Sequence, residues 1–155
     1  MSPGSSAAGL VTRPFKSRSL AHLVTTAQRS EHMGRVRRSG TAAELNVREA
    51  LRALGIRFTV ENGGLLGSPD IANRTRRFVI FVHGCYWHRH PGCARATIPS
   101  RNSEFWQAKF DANVRRDRRV ARLLRRDGYK VITIWECKTR DPGVLARRLK
   151  QALAM

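Results

Sequence analysis

The stretch FVIFVHGCYWHRHPGC, residues 78–93, decides how this chain is read. Phe78 to Val82 is an unbroken β-branched and aromatic run, the pattern of a strand buried on both faces in the middle of a sheet. It leads into His83-Gly84-Cys85, so a core strand delivers a group of Cys and His at its end. Downstream, Ser103 is expected to cap a long helix through Phe105, Trp106, Phe110, Val114, Val120, Leu123 and Leu124 to Gly128, its other face densely charged. Lys130 to Trp135 reads as a second buried strand and Pro142 to Leu153 as a final helix. Upstream, Thr41 and Glu44 form a capping-box pattern ahead of Leu45, Val47, Leu51 and Leu54, which predicts a helix over about 42–54 that Gly55 stops. Ile56 to Val60 reads as a short strand and Asn62-Gly63-Gly64 as a turn, while Leu65 to Pro69 leads irregularly to Asp70 and Ile71 at a strand. This order predicts an α/β sandwich with a mixed sheet.

A chain of 155 residues has room for one domain with one unstructured end. Residues 1–31 are expected to form a flexible basic arm, and residues 32–155 the folded domain. Thirty Lys and Arg against eleven Asp and Glu give a formal charge of +19, which points to a polyanionic partner. Arg predominates, and its planar fork grips phosphate with two hydrogen bonds, so nucleic acid ranks ahead of an anionic membrane surface. No apolar run approaches the ~18 residues needed to cross a bilayer, so a soluble protein with no membrane partner is expected. Three Cys with no secretory-type apolar segment after Met1 speak against a disulfide framework and leave metal binding or free thiols.

Thiolate and imidazole are preferred zinc ligands, and a structural site needs four. Cys85 and Cys93 flank the loop after the first core strand, and Cys137 follows the second, so parallel pairing of the two strands would unite all three. With one histidine they make a Cys3His site, in which His90 is taken as the fourth ligand; spacing alone also allows His88 or His83. Zn²⁺ there would stabilise a loop that has no core of its own. Asp70, after Gly67-Ser68-Pro69 at the sheet edge, is either a turn residue or a carboxylate that holds Mg²⁺ against a phosphodiester. Glu44 reads first as a capping carboxylate. Asp117, among Arg115, Arg116, Arg118 and Arg119, is either a surface ion-pair partner or the orienter of a histidine general base. Tyr86, Trp87 and Trp106 lie beside the basic surface, where aromatics can stack on bases or wedge between them, whereas Trp135 reads as core.

Taken in order, Gly67-Ser68-Pro69-Asp70, the segment from Val79 to His88, Cys93, Glu104-Phe105-Trp106, Asn113, Arg116-Asp117-Arg118 and Trp135-Glu136-Cys137 resemble the very short patch repair (Vsr) endonuclease family over about residues 32–138. The resemblance implies a restriction-endonuclease-like, PD-(D/E)xK-related fold: a mixed β-sheet flanked by helices, with a structural zinc site. It also implies Mg²⁺-dependent nicking of one strand 5′ to the T of a T:G mismatch, the product of 5-methylcytosine deamination. By similarity, Asp70 and the Val82 carbonyl would hold Mg²⁺, and Glu44 would bond to water on that ion. His88 would be the general base, Asp117 its orienter and His83 a supporting residue. Cys85, His90, Cys93 and Cys137 would hold Zn²⁺, and Tyr86, Trp87 and Trp106 would form the aromatic wedge. Val82 stands where members often have Thr, and residues 85–93 hold one residue more than the best-known pattern.

The partner expected is double-stranded, mismatched DNA, met by a monomer in the cytoplasm at the nucleoid. Two other readings make the chain a restriction-type or modified-base-directed endonuclease, or a zinc-stabilised DNA-binding protein without catalysis. The last has no use for Asp70, His88 and Asp117 together.

Overall fold

The computed structural model describes residues 40–153; the arm expected over residues 1–31 lies outside them. Helix α1 spans Ala42–Ala53, followed by strands β1 (Ile71–Asn73) and β2 (Phe78–His83), helix α2 (Ser103–Arg126), strand β3 (Lys130–Trp135), a 3-10 turn (Glu136–Lys138) and helix α3 (Pro142–Leu153). The sheet is mixed, in the order β1-β2-β3, with β1 antiparallel and β3 parallel to the central β2. Among the described residues no helix is long and apolar enough to cross a membrane.

The alternation of β2 divides its side chains between two cores, as an apolar run covered on both faces requires. Phe78 and Ile80 join Ile71, Ile132 and Ile134 on the face that α1 covers with Val47 and Leu51, and α3 with Leu145, Leu149 and Leu153. Val79 and Ala72 face the other way, against Leu124 of α2 with Val120 beside it. The described residues are therefore helix, sheet and helix in three layers. Leu45, expected on the apolar stripe of α1, is exposed, because the buried stripe runs through Ala43, Val47 and Leu51 at four-residue spacing.

The predicted helix ends hold with one correction. Thr41 Oγ1 accepts from the Glu44 N–H, and the Glu44 carboxylate accepts from the Gly40 N–H and the Thr41 hydroxyl. Gly55 at φ +68° lets its N–H reach the Arg52 carbonyl and the Ile56 N–H reach the Leu51 carbonyl, closing α1 in a Schellman motif. Ser103, however, is the first residue of α2 rather than its cap: Asn102 holds that place in a left-handed conformation with no side-chain cap bond. Phe105 is exposed, one position off the stripe that buries Phe110.

The strand expected over Ile56 to Val60 shrinks to a single bridge between Thr59 and Ala72. Glu61 at φ 57° turns the chain away, and the buried Asn62 side chain donates to the Thr59 and Pro69 carbonyls and accepts from the Thr59 hydroxyl. Asn62 thus closes the loop that ends at Asp70. Gly67, at φ +75°, lies so near α2 that a Cβ there would stand 2.5 Å from Val120 Cγ1. Val is stiff at χ1 and the left-handed backbone disfavours any side chain, so Gly67→Ala is expected to lower stability by about 1–3 kcal/mol in a urea melt. An unchanged midpoint and slope would contradict this close approach.

Candidate active site and metal centre

The parallel register from Phe78↔Lys130 to His83↔Trp135 places the ends of β2 and β3 side by side. Cys85 and Cys137 each lie two residues beyond their strand, so the sheet itself brings them together. Cys85 Sγ lies 3.6 Å and Cys137 Sγ 3.3 Å from His90 Nδ1, and one donor atom each from Cys85, His90, Cys93 and Cys137 lies within 4.8 Å of the others. This is the spread of a tetrahedron of sulfur and nitrogen donors, so the cluster can hold a metal ion. Burial pushes the Cys85 thiol up to about 11, with the adjacent Cys137 and Cys93 side chains adding to the rise. A cation held by these residues would reverse that preference by stabilising thiolate. Burial, with the Lys138 and Arg148 charges, lowers His90, favouring the neutral imidazole that ligation needs.

The second constellation lies at the same end of the sheet. His88 Nδ1 is 2.5 Å from Asp117 Oδ2, joining the loop after β2 to the middle of α2. His83 stacks on His88 with ring centroids 3.9 Å apart and planes 11° from parallel. Burial, then the adjacent His88, lowers His83 to about 4, so it is neutral at pH 7. Burial alone would raise Asp117, but its hydrogen bond to His88 and the neighbouring histidines and Arg116 hold it below the ordinary carboxylate range. His83, His88 and Asp117 also offer donor atoms within 4.8 Å. The His88–Asp117 bond can in addition pass a proton between α2 and the loop after β2.

Asp70 precedes β1, and its Oδ2 accepts from the Val82 N–H at 2.7 Å. Burial raises its carboxyl and the nearby Glu44 charge adds to that, while the Val82 N–H and the Arg48 charge oppose it. Glu44 is buried in its capping bonds and accepts from Arg48 Nη2 at 3.1 Å. Arg48 Nε is buried without a partner, an unmet donor near both carboxylates. Asp70 and Glu44 are thus two neighbouring carboxylates with Arg48 beside both, and oxygen donors of this kind are those a hard divalent cation takes.

The aromatics gather on Phe110. Tyr86 meets it edge-on at 5.1 Å, Trp106 stacks at 5.9 Å, and Trp87 lies 6.5 Å from it and 6.2 Å from Trp106. All three are half-buried rather than free-standing. Trp135 departs from the core reading: only partly buried, it stacks on His90 at 4.3 Å and meets His83 edge-on at 5.5 Å, joining the two centres. Asn113, whose sequence signal was only its place in the ordered motif set, donates to the Trp87 carbonyl at 3.2 Å and ties the loop to α2. The turn signal at Asn62 and the motif at Trp135 did not give their partners, since these depend on which loop packs against which strand.

The family model described as DNA mismatch endonuclease Vsr matches residues 21–95. The chain is 40% identical over 121 residues to the type II nicking enzyme V.XorIIP of Xanthomonas oryzae pv. oryzae, covering 78% of this chain and 88% of that one. It is 37% identical over 121 residues to the DNA mismatch endonuclease Vsr of Escherichia coli, covering 78% and 77%. A third relative, the type II nicking enzyme V.NmeAIP of Neisseria meningitidis, is 33% identical over 132 residues, covering 85% and 94%. Likeness of this degree over most of each chain establishes that the protein belongs to the Vsr family of DNA mismatch endonucleases and is a DNA endonuclease.

Proposed function

We propose that this endonuclease nicks one strand of duplex DNA 5′ to the T of a T:G mismatch, acting as a monomer at the nucleoid in the cytoplasm. The fold proposed for it is restriction-endonuclease-like, of the PD-(D/E)xK-related kind. Asp70 and the Val82 carbonyl would hold Mg²⁺, and Cys85, His90, Cys93 and Cys137 would hold Zn²⁺. The observation that carries the reading is a continuous line of contacts: Asp70 to the Val82 N–H, Val82 to the adjacent His83, His83 stacked on His88, and His88 bonded to Asp117. A carboxylate for a cation and a buttressed base thus stand at one sheet end, within a single chain, as cutting one strand requires.

Asp117 accepts from His88 Nδ1–H, which leaves Nε2 as the lone pair that takes a proton from the attacking water. Its carboxylate then balances the imidazolium. His83, neutral beneath that ring, adds no second positive charge to the stack. Mg²⁺, when bound, supplies Lewis-acid stabilisation of the charge that builds on the phosphate. Glu44 contributes a second carboxylate beside Asp70, and the zinc ligands hold the loop that carries His88. Tyr86, Trp87 and Trp106 would press on the base stack beside the mismatch, a role that suits half-exposed rings on a basic surface. The relatives, a mismatch endonuclease and nicking enzymes by name, support the same reading.

The test is strand-specific cleavage of labelled duplexes with Mg²⁺, comparing T:G-containing and fully paired versions in several flanking contexts. Nicking confined to the T strand of the mismatch is expected. Cleavage of both strands of a paired site would instead identify a restriction-type enzyme, and cleavage only beside another altered base a modified-base endonuclease. In the same assay Asp117→Asn is expected to slow nicking by about 10³-fold with duplex affinity unchanged, because the amide permits the wrong His88 tautomer. A loss below about tenfold would remove Asp117 from the orienting role.

A further inference from the structure

Helix α2 has two unlike faces. Phe110, Asn113, Asp117, Val120 and Leu124 face the aromatic loop, His88 and the sheet. At about 100° per residue, Arg115, Arg118, Arg119, Arg122 and Arg126 fall on the opposite side, and all five are exposed. Among the described residues none of the five has a carboxylate partner; Arg116, which pairs with Asp117, stands outside the row. The first half of the helix looks different, with Glu104, Asp111 and Lys109 interspersed and Gln107 bonded to Asp111. A face that merely kept the helix in water would continue that mixture, since like charges three and four residues apart weaken a helix. Segregation of five guanidinium groups on one side therefore calls for an anionic partner.

The row does not belong to the catalytic centre. Asp117 meets His88 at the end of β2 where the Cys and His cluster lies, and α2 runs from there toward the start of β2, where the Arg77 guanidinium bonds to the Asp127 carbonyl. From Arg115 to Arg126 the row extends about 17 Å, a length over which one strand of duplex DNA carries about five phosphates. Guanidinium forks at that spacing suit a phosphodiester backbone and carry no means of reading base sequence.

The geometry points to a second, non-catalytic surface: the outer face of α2 binds the backbone of a duplex DNA segment other than the one held for nicking. This inference rests on the reading that the catalytic site itself takes duplex DNA. Two bound segments would let the enzyme pass from one stretch of DNA to another without first dissolving free, a gain on long DNA and none on short DNA.

The test uses the full chain with all five residues replaced, Arg→Gln, a change that keeps helix propensity and removes charge, with circular dichroism to establish the fold. The Asp70→Asn enzyme, with the row intact or replaced, is first saturated with unlabelled mismatched duplex. A fluorescent, fully paired duplex is then added and its anisotropy followed across salt concentrations. With the row intact the second duplex is expected to bind, more weakly as salt rises; with the row replaced its affinity is expected to fall about tenfold or more. With Asp70 present, nicking of a short mismatched duplex is expected to change less than about twofold on replacing the row. Failure of the saturated enzyme to bind the second duplex, or equal binding without the row, overturns the inference. Loss of short-duplex nicking with the row also overturns it, by placing these residues in the primary site. Row-dependent binding of phosphatidylserine vesicles in place of paired DNA would assign the face to a membrane and overturn it too. Were the enzyme with its row intact to nick no duplex, the proposed function would fail in that arm alone, separately from the binding result.

Discussion

Asp70→Asn is expected to abolish nicking, with a rate at least about 10³-fold lower, while the affinity for mismatched duplex changes less than about threefold. The amide keeps an oxygen to accept from the Val82 N–H, so the loop stays in place and only the charge is removed. The stability change should have the opposite sign to the activity change. Burial and the Glu44 charge raise the Asp70 carboxyl above 3.8 in the folded protein, so ionising it at pH 7 opposes folding, and the neutral variant is relieved of that opposition. Above both the unfolded and the raised folded value the benefit is complete; it disappears as pH falls below 3.8 and both states become neutral. Quenched-flow nicking and urea melts at pH 7 check the two halves. Nicking close to the unsubstituted rate would sink the assignment of Asp70 as the cation-holding carboxylate.

Cys85→Ser is expected to have the largest effect on the fold. Residues 84–102 contribute Cys85 to the buried set but no residue to either of the two packed cores, so this segment relies on the four-donor cluster and on the contacts of Tyr86 and Trp87 with Phe110. Losing a buried ligand removes metal affinity that is itself folding free energy, with an expected loss of about 3–5 kcal/mol. Zinc content by mass spectrometry should fall from one equivalent to near zero. Tryptophan fluorescence should shift together with it, since Trp87 lies in the loop and Trp135 stacks on His90. Nicking should be lost as well, because His88 reaches Asp117 only from that loop. A zinc-free variant with an unchanged melting curve would contradict a structural metal.

Much of this was legible in one dimension. The run from Phe78 to Val82 carried its own placement, because successive apolar residues, of which Phe78, Val79 and Ile80 are buried, need both faces of a strand covered. The Thr41 and Glu44 cap and the stop at Gly55 were equally readable, since these bonds reach across five residues or fewer of chain. Ser103 failed as a cap because Asn102 took the left-handed turn that starts α2, a choice the loop before it makes. The segment from Ile56 to Val60 had strand composition, yet the buried Asn62 tied it to Pro69 and left Thr59 a single bridge.

The Cys and His content, the basic excess and the ordered motif set were enough by themselves to fix the family and the residue types available for chemistry. Which of His83, His88 and His90 lies against the cysteines, and which against Asp117, depended on the tertiary structure. Parallel pairing of β2 with β3 set Cys137 against Cys85 and turned His90 Nδ1 toward both, while α2 brought Asp117 to His88 across 29 positions of sequence. Local propensities act through a few neighbouring bonds, whereas a ligand shell or a proton relay depends on distances between segments that meet only after the sheet has closed.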